Sequence, residues 1–116
     1  MQYLLLIYDN EKEFDALPEA TQGKVLEEYG RFSKSIVGSG HHVGSNRLEP
    51  ITTATTVRVR NGKTTMTDGP FAETREQLGG YYLIEAKDLD EALQIAARIP
   101  SAQFGSIEVR PIWAMS

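Results

Sequence analysis

The run YLLLIY, Tyr3–Tyr8, decides the fold. Its six residues are apolar or aromatic throughout and end at Asp9-Asn10, which reads as a strand. Side chains alternate across a strand, so Leu4, Leu6 and Tyr8 face one way and Tyr3, Leu5 and Ile7 the other. A sheet with one wet face alternates apolar and polar residues, and this strand does not. Tyr81–Ala86 repeats the property, with Tyr81 and Leu83 opposing Tyr82 and Ile84. Two central strands, each apolar on both faces, are therefore expected.

Other elements follow outward. Asp9–Ala16 is polar and reads as loop. Pro18 suits a first helical turn, where its missing N–H has no partner to lose. Val25, Tyr29, Phe32 and Ile36 then recur at helical spacing, with Leu26 and Val37 beside them, until Gly38 and Gly40 stop the helix. His42–Leu48 is a weak strand and Ala54–Arg60 a stronger one. Asn61-Gly62 predicts a two-residue hairpin turn, because both positions tolerate positive φ. Its partner strand is Lys63–Thr67, in a register that sets Val57 against Met66 and Arg58 against Thr65. Asp88 to Glu91 reads as a capping box opening a second helix, with Leu89, Ala92, Leu93, Ala96 and Ile99 as its apolar face and Pro100 as its end. Ser106–Trp113 is the last strand.

With the His42 strand and the hairpin partner set aside, this order reduces to the split βαβ plan of a ferredoxin-like α+β fold. Two helices cover one face of an antiparallel sheet. Leaving the other face bare would forfeit about 1.5–3 kcal/mol for each large apolar side chain. A second copy of the chain is the expected cover, and a loop or the C-terminal tail is the alternative.

The chain has 116 residues, the size of one domain spanning residues 1–116, and no cysteine, which excludes disulfides and thiolate chemistry. Sixteen acids against twelve bases give a net charge of −4, which argues against sequence-independent nucleic-acid binding. The apolar N-terminus is too short for a membrane span and lacks the basic start of a signal peptide, so a cytoplasmic location is expected.

TDGPFAETREQLGG, Thr67–Gly80, holds more special chemistry than a corner needs. Asp68-Gly69-Pro70 has turn chemistry, Phe71 is expected to plug the core beneath it, and Gly79-Gly80 permits a sharp bend or a close approach. The block from Asp68 to Pro100 resembles the hallmark block of the YCII-related family, DGPF subgroup. YLLLIYDN at the start, TVRVRNGKTTMTDGPF in the middle and IEVRPI at the end are similar too, so the resemblance covers nearly the whole chain. It implies a ferredoxin-like fold that dimerises through its sheets into an α+β barrel, and a role as a small-molecule enzyme or binder. In some relatives a His–Asp pair is the proposed acid–base couple, with the His near the start of the first helix. This chain has no His before His41, so that pair does not carry over. The resemblance also implies a link to extracytoplasmic-function sigma factors, through gene neighbourhood, as a non-catalytic alternative.

Six residues are candidates for a site. Asp68 is placed as a general base at a cavity rim, or as an Asx turn that only shapes the corner. Arg58 would point into a dimer cavity if Val57 and Val59 meet the helices, there to clamp an anion or to pair with an acid such as Glu73. Arg110 lies with Glu108 on the face opposite Val109 and shares that ambiguity. Tyr8 and Tyr81 offer hydroxyls to a ligand, as does Tyr82, or are core bodies with one satisfied hydroxyl. His41 and His42 point to opposite faces of a strand and make a poor chelate, so neither metal nor cofactor is implied. Ser39 and Ser45 lie near them without a nucleophile elbow. The expectation is a homodimer that binds, and in an enzyme transforms by proton transfer, a small acidic or aromatic metabolite.

Overall fold

The computed structural model describes residues 1–114. Six strands and three helices follow in the order β1 (Gln2–Asp9), α1 (Glu11–Asp15), α2 (Glu19–Gly38), β2 (His42–Arg47), β3 (Thr55–Arg60), β4 (Lys63–Asp68), β5 (Gln77–Glu85), α3 (Leu89–Ala96) and β6 (Ser106–Pro111). Short 3₁₀ turns lie at Ile51–Thr53 and Pro100–Gln103. Four strands form an antiparallel sheet in the order β2-β5-β1-β6. This is the ferredoxin-like α+β arrangement, with the two strands that read as apolar on both faces, β1 and β5, at its centre.

The sheet divides its side chains as the alternation of YLLLIY dictates. Tyr3, Leu5, Ile7, Tyr82 and Ile84 are buried against the helices. Phe32 and Ile36 of α2 and Ala92, Ile95 and Ala96 of α3 close over them, with Ile99 beyond. Phe32 meets Tyr82 edge-to-face at 5.0 Å between ring centres. Leu4, Leu6, Tyr8, Tyr81 and Leu83 are partly exposed on the opposite face.

Three local readings change. A short helix, α1, replaces the expected loop, because the Asn10 side chain accepts the Glu13 N–H at 3.0 Å and caps it. On α3, Ile95 is buried while Leu89 and Leu93 are exposed. The small Ala92 and Ala96 meet the sheet, and the stripe continues through Ile95 to Ile99 rather than through the leucines. Asp88 accepts the Glu91 N–H at 2.9 Å, but Glu91 reaches back to the N–H of Lys87, one residue beyond the usual capping box.

The largest correction concerns β3 and β4. The weak His42 strand belongs to the main sheet, whereas β3 and β4 form a separate two-stranded ribbon inserted between β2 and β5. The reason is topological. Both sides of β5 are taken, by β2 and β1, and both sides of β1 by β5 and β6, so the central sheet has no interior place for the ribbon. The turn and register are as expected: Asn61 and Gly62 have φ of 52° and 76°, Val57 opposes Met66 and Arg58 opposes Thr65. The premise that Val57 and Val59 meet the helices fails, since both are exposed along with Met66. Phe71 is 77% exposed and plugs nothing in this chain. The molecule is a plate of 48 × 47 × 18 Å. No described helix is long and apolar enough to cross a membrane.

Candidate functional site

A cavity of about 660 Å³ opens between the helix side of the sheet, α1, α2 and the segment after β2. Its floor is Ile7, Asp9 and Tyr82, and one wall is Val25, Leu26 and Tyr29 of α2. Glu11, Phe14 and Asp15 of α1 form a second wall. Arg47 through Pro50 form the lip.

Three glycines shape it. Tyr8 pairs with Leu78 and Ile7 with Gly80, so Gly79 is the extra residue of a bulge at the mouth. A Cβ on Gly80 would lie 2.8 Å from the Asn46 carbonyl oxygen. A Cβ on Gly105 would collide with the Tyr8 carbonyl oxygen and lie 3.0 Å from Asp9 Cβ. Gly105 thus lets the start of β6 press against the end of β1, directly behind Asp9.

Asp9 is the centre of the polar floor. Ser101, only 1% exposed, donates its hydroxyl to Asp9 Oδ2 at 3.3 Å. The Tyr29 hydroxyl lies 2.5 Å from Ser101 Oγ. Ser101 has one proton and gives it to the carboxylate, so Tyr29 donates to Ser101 and the chain runs Tyr29 to Ser101 to Asp9. Burial pushes the Asp9 carboxyl above its ordinary value; Ser101 and Arg47 oppose this, while Glu11 and Glu76 reinforce it. Burial also raises the Tyr29 phenol, against the pull of Ser101, and keeps its proton in place. A carboxyl that holds its proton more tightly than usual, at the end of a hydroxyl chain in a partly apolar cleft, is a candidate for proton transfer.

The direction of the Asp9 shift fixes a pH dependence. The folded chain holds its Asp9 proton more tightly than the unfolded chain, so stability falls as pH rises from the ordinary value of 3.8 through the raised one. Asp9→Asn removes that cost while keeping an acceptor for Ser101. The variant should therefore melt higher than wild type near neutral pH, with the advantage gone below the ordinary carboxylate value. Thermal melts across that range check it, and a variant less stable than wild type at neutral pH contradicts it.

Of the six sequence candidates, Tyr81 borders the cavity, but its side chain lies on the open face of the sheet, where its hydroxyl accepts from the paired Asn46 Nδ2 at 2.8 Å. Asp68 ends β4 on the ribbon and pairs with Thr55. Arg58 donates to the Phe71 carbonyl at 3.3 Å, and Glu73 is exposed on the loop that follows. Arg110 is held by Glu108 on the open face of the sheet, with Tyr8 on the same face. The chain around the start of β5 is bonded to the start of α1. The Arg75 carbonyl accepts from Asn10, and Gln77 Oε1 accepts the Glu11 N–H at 3.0 Å.

Asp9, Tyr29, Ser101 and Arg47 were not singled out from sequence. Asp9 ends a strand, and Ser101 lies in the 3₁₀ turn that Pro100 opens, since α3 ends at Ala96 and not at Pro100 as expected, so neither carries a local motif. Gly105 and the Gly79-Gly80 pair were the only local signs of a tight approach there.

The sequence matches the model of the YCII-related domain over residues 1–116. The chain belongs to the YCII-related family. It is also similar to an uncharacterised protein of Rhizobium meliloti (strain 1021), 40% identical over 114 residues, covering 97% of this chain and 92% of that protein.

In this YCII-related chain neither histidine lines the cavity, although His42 touches Tyr82 and Ser45, which do. His41 bridges Ser39 at 2.6 Å and Glu91 at 3.1 Å, between the end of α2 and the start of α3. Ser39, His41 and Glu91 have the order of a hydrolytic triad. However, the N–H groups of Ser39, Gly40 and His41 are all bonded to α2 carbonyls, leaving none of the three for an oxyanion. The C-terminal end of a helix also opposes developing negative charge. His42 bonds Ser45 at 3.0 Å and lies edge-on to Tyr82. Among the described residues, no group of three or more acids and histidines is placed to hold a metal ion.

Proposed function

We propose that this chain is a small-molecule-binding protein of the DGPF subgroup, whose ligand occupies the cavity over Asp9. If it is an enzyme, its class is a lyase or isomerase working by proton transfer. Asp9 exchanges the proton, Ser101 relays it, and Tyr29 supplies the next hydroxyl. The observation that carries this reading is the half-buried Asp9 carboxyl with its raised pKa, at the end of a hydroxyl chain in a cavity large enough for a metabolite. The DGPF assignment rests on Asp68-Gly69-Pro70-Phe71.

The working unit is a homodimer in this reading. A second copy covers Leu4, Leu6, Tyr8 and Leu83, which the helices leave on the outer face of the sheet. Tyr8 and the Glu108–Arg110 pair then become interface groups rather than ligand contacts.

A thermal-shift screen of small metabolites tests the site. Wild type is compared with Asp9→Asn and Tyr29→Phe, and with Asp68→Asn and Arg58→Ala on the ribbon. Hits should lose their stabilising effect in the first pair and keep it in the second. The reverse pattern would return the site to the ribbon.

A further inference from the structure

We propose that the cavity selects a protonated organic amine, with its ammonium seated on the Asp9 carboxylate and its carbon skeleton against Phe14, Tyr29 and Leu26. This rests on the cavity reading above and adds the class of ligand.

Charge is the first support. Four carboxylates, Asp9, Glu11, Asp15 and Glu49, border the cavity against the single guanidinium of Arg47. An anion entering it meets the wrong sign from most sides. The acidic ligand expected from the sequence depended on Arg58 and Arg110, and neither borders the cavity. The acids do not gather into a metal cluster, so a bare ion is not what they fit.

Hydrogen-bond polarity is the second, independent support. Ser101 spends its proton on Asp9, and Tyr29 spends its proton on Ser101. What this chain leaves for a ligand is acceptor capacity. A carboxylate has about four acceptor positions, and the only side-chain hydrogen bond Asp9 receives among the described residues is the long one from Ser101. The Tyr82 hydroxyl is already engaged with Ser33 at 2.7 Å. On the floor, acceptor capacity without a spare donor calls for N–H groups, the Arg47 guanidinium being left at the lip.

The apolar share of the wall is the third. Phe14, Leu26 and Tyr29 suit a hydrocarbon or aromatic body, and the faces of Phe14 and Tyr29 attract a cation that passes over them. The same floor that penalises a lone Asp9 charge strengthens its pairing with an ammonium once water is displaced.

Three size-matched probes decide the matter: phenethylamine, phenylacetate and 2-phenylethanol, titrated calorimetrically near neutral pH. A charge-assisted hydrogen bond predicts that the amine binds at least about tenfold tighter than either other probe. Asp9→Asn should bring the amine to the level of the alcohol. In wild type, the affinity for the amine should fall as acid protonates Asp9 while that for the alcohol stays level, a readout that needs no variant. Equal or tighter binding of phenylacetate, an Asp9→Asn variant that holds the amine as well as wild type, or no binding by any probe would overturn the amine assignment. Backbone amide shifts in NMR separate this from the parent reading. Probes that bind but perturb the β3–β4 ribbon instead of Asp9 and Tyr29 refute the cavity itself, whereas cavity shifts with phenylacetate preferred refute only the amine.

Discussion

Gly105→Ala should destabilise the fold by about 1–3 kcal/mol, the cost of forcing an extra methyl into packed backbone, and should weaken ligand binding at the same time. The added methyl has no flexible neighbour to push aside. It meets the Tyr8 carbonyl oxygen, and behind that Asp9 Cα at 3.2 Å and Cβ at 3.0 Å. Relief requires β6 to move off β1, or the end of β1 to move toward the cavity. The second route carries Asp9 away from Ser101, which is fixed by its own 3₁₀ turn. Denaturant titration reads the stability, and the ligand screen reads the site. A variant with wild-type stability and binding would show that the approach of Gly105 to Asp9 is looser than the geometry requires.

Ile84→Ala and Leu83→Ala are adjacent changes on one strand that should behave differently. Ile84 is fully buried against the helices at the centre of the sheet, beside Tyr3. Its truncation should cost about 2–5 kcal/mol, through lost burial plus the cavity left behind, at every protein concentration. Leu83 faces the other way, opposite Leu4. If a second copy covers that face, its truncation weakens association, and the loss of melting temperature shrinks as protein concentration rises. Melts over a hundredfold range of concentration separate the two. A Leu83→Ala effect that ignores concentration would remove the support for a homodimer built on this face.

The central pair of strands was legible because burial on both faces leaves its mark on every residue of Tyr3–Tyr8 and Tyr81–Ala86. Asn61-Gly62 was legible because positive φ at two successive positions is a demand few residue pairs meet. The choice between His42–Arg47 and Thr55–Arg60 for the sheet was not. Edge strand β2 is polar and bulged at Val43, whereas the ribbon strand of equal length alternates well, and alternation says nothing about which neighbours a strand finds. The site was less legible still. Its polar floor joins the end of β1, the middle of α2 and a turn after α3, residues 9, 29 and 101, which no local spacing connects. Tyr29 was read correctly as part of the apolar stripe of α2, but periodicity cannot see that its hydroxyl reaches Ser101. The ornate Thr67–Gly80 stretch stands out in the sequence as a candidate pocket wall, and its Arg75 and Gln77 bond Asn10 and Glu11 beside the cavity.

The ribbon has a practical consequence. β2 and β5 are already hydrogen-bonded neighbours, with Arg47 beside Gly80, and the Leu48 N–H reaches the Gly79 carbonyl at 2.9 Å. The chain therefore leaves and re-enters the sheet at nearly the same spot, and the Asn61-Gly62 tip lies on an excursion outside the main hydrogen-bond ladder. A reporter peptide or affinity tag spliced between those two residues would extend a free loop and leave the scaffold intact.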